Sequence, residues 1–149
     1  MNKKIYILVT IDTECDKSLN WDVQQPLSFK NIQMQETVLM PIFRENKIKP
    51  TYLLSPEVLK STESVLFFKG IEKDVELGTH LHIEFIDPSS KMQSTKTLRI
   101  QKELNYDEEY LKIYNLTELF KENFGYSPKS FRSGRFGSSN NTGKILSEL

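Results

Sequence analysis

Residues 5–16 read IYILVTIDTECD, and the rest of the chain is organised around them. A continuous apolar run of Ile, Tyr, Leu and Val, placed between Lys3-Lys4 and two acids, predicts a fully buried parallel strand. The run leads into Asp12 and Glu14, separated by one residue. If the backbone stays extended past Ile11, both carboxylates project from one face, because strand side chains alternate with period two. A buried strand ending in paired acids contributes little to stability. At the rim of an α/β sheet it delivers carboxylates to a metal ion or a reacting water.

Outward from this stretch, the chain repeats strand then helix four times. A loop over residues 16–31 holds the only tryptophan, Trp21, which either caps a sugar ring or anchors the loop by packing. Helical spacing follows at Ile32, Leu39, Ile42 and Phe43, and Pro41 is expected to split that helix near Met40. Residues 51–54 (TYLL) predict a second strand, Ser55-Pro56-Glu57 a helix start, and Gly70 the end of that helix. A third strand over residues 75–79 leads to His80, and the polar residues 87–102 read as a long loop. Asn105, with Glu108 as capping-box partner, opens the best helix, and Gly125 stops it. A short fourth strand at residues 129–132 runs into Ser133-Gly134-Arg135-Phe136-Gly137, and a last helix starts near Asn141. The alternation predicts an α/β fold with a parallel sheet.

At 149 residues the chain has room for one domain with a real core, read as residues 1–149. Lys plus Arg and Asp plus Glu are 20 each, so the net charge is zero and nothing global attracts a nucleic acid. No apolar run approaches the roughly 20 residues that cross a bilayer. The N-terminal apolar segment is short and meets acids instead of a signal-peptide cleavage site. The single cysteine, Cys15, allows no intrachain disulfide. Together these features predict a cytoplasmic protein. Four βα units make half a barrel, so the chain is expected to be the front part of a longer domain. Its exposed sheet edge would then be covered by the missing half or by a second copy in a homo-oligomer.

Three strands end in groups capable of chemistry: Asp12 with Glu14, His80 with His82, and Arg132 with Arg135. In parallel α/β folds the carboxyl ends of all strands lie on one side, so these groups are predicted to meet. The only two histidines of the chain stand two apart in GTHLHIEF. On an extended backbone His80, His82 and Glu84 share a face. Two imidazoles and a carboxylate suit zinc or another divalent first-row ion, whereas the bland reading is a half-exposed strand. Glu14 beside Lys17 reads equally as a surface ion pair. Arg132 is placed to hold a carboxylate bidentately.

Together, VTIDTE, VELGTHLH and FRSGRFG resemble the first three motifs of the polysaccharide deacetylases of the NodB-homology type. These are carbohydrate esterases built on an irregular, seven-stranded (β/α) barrel. The resemblance covers essentially the whole chain, as the N-terminal part of such a domain. It implies a metal-dependent hydrolase that removes an N-acetyl or related acyl group from a sugar or polysaccharide, using one divalent ion, foremost Zn. By the resemblance Asp12 stands at the catalytic base and Arg132 at the arginine that positions it. His80 matches the first metal histidine, Arg135 falls in the substrate-binding motif, and the substrate is an N-acylated glycan. Two departures stand out. Thr13 replaces the family's metal-binding aspartate, which leaves Glu14 for that role. Glu84 stands where the second metal histidine is usual, which leaves His82 or Glu84 as the third ligand. The histidine that acts as general acid is expected beyond Leu149.

Two other readings compete. A DEDD-type 3′–5′ exonuclease also opens with an apolar strand ending in DTE, but hairpin partners follow that strand in a mixed sheet. A truncated or degenerate deacetylase-like module would bind a metal or glycan with little or no catalysis.

Overall fold

Four short parallel strands form one sheet in the order β1-β2-β3-β4, with helices in every connection. The computed structural model describes residues 3–88 and 99–149. The strands are β1 (Thr10–Thr13), β2 (Thr51–Leu54), β3 (Glu76–Leu81) and β4 (Phe131–Ser133). Helices α1 (Lys30–Val38) and α2 (Met40–Glu45) follow β1; α3 (Pro56–Leu59) and α4 (Thr62–Ile71) follow β2. The long α5 (Tyr106–Phe124) precedes β4, and α6 (Thr142–Glu148) follows it.

The central strand explains itself. Tyr52, Leu53 and Leu54 are all at most 3% exposed, as expected of a continuous apolar strand with both neighbours parallel and both faces covered. Ile32, Met40, Phe68, Leu116 and Phe120 pack with Tyr52 and Leu54 in the main core. Gly78 of β3 allows the close approach of β4, since a Cβ there would stand 2.5 Å from the Ser130 carbonyl oxygen.

The first strand departs from its prediction. Regular β1 covers only Thr10–Thr13, and Ile5, Tyr6, Ile7 and Leu8 are 83–88% exposed instead of buried. Register gives the reason. Thr10 pairs with Thr51, the Val9 carbonyl accepts from Thr51 N–H, and the preceding Pro50 has no N–H to extend the ladder.

Helix punctuation is mostly as the residue types require. Leu39 and Pro41 separate α1 from α2. Asn105 Oδ1 accepts from Glu108 N–H, and Gly125 takes the left-handed conformation, φ 80°, that ends α5. The Glu108 carboxylate, however, pairs with Arg99 instead of closing a capping box. The single helix expected over residues 56–69 is two, because Ser61 re-caps the chain by accepting from Ser64 N–H. Gly70 accordingly lies inside α4 and does not end it. The long loop expected over residues 87–102 lies mostly outside the described residues, although Gln101–Glu103 forms a 3-10 turn. No helix among the described residues is long and apolar enough to cross a membrane.

Candidate functional site

Parallel topology carries the ends of β1, β3 and β4 to one side, and their polar residues meet there. Asp12, Glu14, Lys17, His80, His82 and Arg132 line one cleft of about 320 Å³. At its floor three ligand-type atoms converge. Glu14 Oε1 lies 3.2 Å from His80 Nε2 and 3.0 Å from His82 Nε2, and the two imidazole nitrogens are 3.0 Å apart. These three residues form the group of His, Cys, Asp and Glu side chains among the described residues that could hold a metal ion. With bonds of about 2.0–2.1 Å, donors around one ion stand roughly 2.9–3.4 Å apart, depending on whether the geometry is octahedral or tetrahedral. The donor set therefore fits a small divalent cation, and its two nitrogens suit zinc or a neighbouring first-row metal.

The surroundings aim these donors. His80 Nδ1–H donates to the Arg132 carbonyl, 3.2 Å away, and leaves Nε2 free to ligate. His82 Nδ1 faces Glu84 Oε1 at 3.4 Å, which turns its Nε2 to the same point. Glu84 is thus the outer partner of His82 and sits outside the converging trio. The extended backbone ends at His82, and a 3-10 turn over Ile83–Phe85 takes Glu84 off the shared face. Arg135 grips Glu84 from the far side with two guanidinium nitrogens, one at 3.2 Å. The residue read as a substrate contact is therefore bound to a carboxylate of the site itself.

Asp12 stands at the rim. Arg132 Nη1 donates to its Oδ1 at 2.5 Å, while Nη2 donates to Thr10 Oγ1 at 2.7 Å. The guanidinium thus bridges two β1 side chains and does not take Asp12 bidentately. The Thr13 hydroxyl donates to the Ile11 carbonyl of its own strand, 3.2 Å away.

Burial raises the pKa of the Glu14 carboxyl, but hydrogen bonds from His80 and His82 and the charges of His82 and Lys17 outweigh it. The group is held far below the usual carboxylate range. His82 is shifted the other way: burial pushes it down, yet its hydrogen bonds to Glu14 and Glu84 carry it up to about 9. Glu84, despite burial, is drawn down to about 2 by His82 and Arg135.

Lys17 pairs with Glu14 as the sequence suggested, Nζ 3.2 Å from Oε2, but the pair does not lie at the surface, for the Lys17 side chain is 14% exposed. Sequence reasoning missed one contributor. Glu57, which follows β2, is 3% exposed, and its Oε1 accepts from Cys15 N–H at 3.3 Å. Its place in the first turn of the helix that directly follows β2 was the available signal, since that turn starts at the sheet rim. Cys15 is buried, and burial together with the Glu57 charge pushes its thiol up to about 11, which suits no nucleophile.

No family model matches the sequence, and no curated protein sequence matches it. Among solved structures, the fold resembles the crystal structure of a mutant of a CE4 family pseudoenzyme with restored enzymatic activity. The TM-score is 0.64 at 17% identity, over 95% of this chain and 40% of that one. The chain thus spans about two fifths of that structure. The likeness shows the fold: four parallel strands alternating with helices, as in part of a NodB-type (β/α) barrel.

Proposed function

We propose that this chain carries the metal-binding part of a hydrolase that removes an acyl group, foremost N-acetyl, from a sugar or polysaccharide. The observation that carries the reading is the meeting of Glu14 Oε1, His80 Nε2 and His82 Nε2 beside the Arg132–Asp12 pair at one sheet rim. Glu14, His80 and His82 would hold the ion, with His82 as third ligand and Glu84 behind it. A divalent ion there supplies Lewis acidity and makes a water acidic enough to attack an amide carbonyl. Asp12 is the carboxylate free to take the proton of the attacking water. Arg132 sets its orientation by tying Asp12 to Thr10. Glu84 and Arg135 keep the His82 ring from turning. Both histidines of the chain are engaged in the trio, so protonation of the leaving amine falls to another group.

Zinc titration of the 149-residue chain and its hydrolysis of 4-nitrophenyl acetate, whose leaving group needs no general acid, test the reading together. Asp12→Asn should keep zinc binding and abolish turnover, whereas His80→Ala should lose both. If neither substitution changes metal content or activity, the site is misplaced.

A second reading, a module that binds metal or glycan without turnover, has one observation behind it. The similar structure is described as that of a pseudoenzyme whose mutant regained activity. Stoichiometric zinc binding with no hydrolysis even of that activated ester would favour it. The exonuclease reading loses support from the topology, because β1 pairs in parallel with β2 and not with a hairpin partner.

A further inference from the structure

Two aromatic rings are held out in water beside the candidate metal donors. Trp21 is 81% exposed and Phe136 98%, and both line the cleft that contains Glu14, His80 and His82. Both also have left-handed backbone conformations, φ 63° and 52°, as does Arg135 next to Phe136, φ 52°. Bulky residues rarely occupy that region, and it persists only where the surroundings impose it.

The surroundings do impose it. Lys17 and Val23 form an antiparallel bridge that closes the loop carrying Trp21. Inside it, Trp21 N–H donates to the Ser18 carbonyl, Ser18 N–H to the Asp22 carbonyl, and Asn20 and Asp22 N–H to Ser18 Oγ. Phe136 sits within a tight turn closed by Gly137 N–H on the Gly134 carbonyl, next to Arg135, which is anchored on Glu84. Trp21 is therefore not a packed loop anchor. Two braced turns present large apolar faces at a polar cleft.

The charges of the cleft narrow what would lie on those faces. Lys17 pairs with Glu14, Arg132 with Asp12 and Arg135 with Glu84, so each cationic Lys or Arg lining the cleft already has a carboxylate. None of these three cations is left without a carboxylate for a phosphate to take. A neutral ligand with apolar faces and hydroxyl edges fits better: the C–H faces of a pyranose stack on aromatic rings, and its hydroxyls exchange hydrogen bonds with ionised pairs. Trp21 also lines the adjoining cavity of about 610 Å³, which shares Asp12, Glu14 and Lys17. The ligand therefore extends beyond one ring.

We propose that Trp21 and Phe136 are the stacking platform for a neutral oligosaccharide that runs through both cavities past the Glu14–His80–His82 trio. The proposal rests on the sugar-directed reading above and adds the residues and the chain length that it recognises.

Trp21 is the only tryptophan, so intrinsic emission reports on this site alone. The 149-residue chain, without added metal, is titrated with chitotetraose, cellotetraose, N-acetylglucosamine and ADP. Chitotetraose should quench and blue-shift Trp21 emission at least tenfold more tightly than the monosaccharide, with ADP inert. Phe136→Ala should weaken chitotetraose about tenfold. Calorimetry should show a similar loss for Trp21→Ala, with zinc affinity unchanged in both variants, which also establishes that they fold. Response to ADP and not to the sugars overturns the proposal, as does oligosaccharide binding that neither substitution weakens. Sugar binding with these losses but no hydrolysis of the activated ester supports the platform and counts against the hydrolase reading alone.

Discussion

At the candidate donors, proton and metal compete for the same nitrogen. Zinc needs His82 neutral, yet Glu14 and Glu84 hold its pKa up to about 9. The proton is bound below that value and must leave when the ion enters. Zinc affinity should therefore rise with pH up to about 9 and then level off, with proton release in calorimetry performed in buffers of different ionisation enthalpy. In the metal-free chain the charged His82 stabilises the fold at low pH, and that contribution fades as pH climbs through about 9. A zinc affinity independent of pH between 6 and 9 would contradict this. Glu84→Gln keeps the side-chain shape but removes the carboxylate that orients His82. The expected result is a loss of zinc affinity of about 10–100-fold, the range typical for outer partners of metal ligands. No change in a competitive chelator titration would remove Glu84 from the site.

At the scale of elements, α5 does more than fill the sheet face. Its Lys112, 2% exposed, donates to the carbonyls of Ile83, Ile86 and Pro88 at 2.9, 2.7 and 2.5 Å. From α3's end, Lys60 adds a bond to the Phe85 carbonyl at 2.5 Å. The segment behind His82 and Glu84 is thus held through its backbone by two ammonium groups. Lys112→Met leaves three acceptors without their donor and should cost about 3 kcal/mol or more. Urea melts would read that cost, and zinc affinity should fall with it because the His82 segment loosens. A variant as stable as the parent would show that water replaces the ammonium. The periodicity of α5 and its Asn105 and Gly125 boundaries were legible in the sequence. A lysine in mid-helix was not, because an ammonium group normally seeks water and nothing local marks Lys112 as buried. The Ser61 break between α3 and α4 was legible only in part: serine favours caps over helix interiors, but Ser55 six residues upstream already offers the same signal.

For the whole molecule, the arrangement leaves β1 at one side of the sheet, preceded by four exposed apolar residues, Ile5–Leu8 in sequence. An exposed apolar segment that continues an edge strand is a template for pairing with another chain. The 149-residue protein should therefore self-associate at micromolar concentration, and Ile5→Lys with Ile7→Lys should shift it towards monomer in sedimentation velocity. A parent that stays monomeric at all concentrations would overturn this.

Chain order alone determined that Asp12, Glu14, His80, His82, Arg132 and Arg135 lie on one side of a parallel sheet. Right-handed βα repetition sends every strand's carboxyl end to the same rim, so the placement follows from local patterning and needs no distances. Which partner each group takes was decided only by the tertiary structure. Glu14 meets a histidine 66 residues away, and Arg132 meets Asp12 across 120 residues. Assigning Arg135 to Glu84, and His82 instead of Glu84 to the trio, depends on where the extended backbone stops and on how neighbouring strand ends are offset. Hydrophobic periodicity encodes which face a residue occupies. Separations of an ångström or two between distant side chains arise only when strand register and the packing beneath it are set.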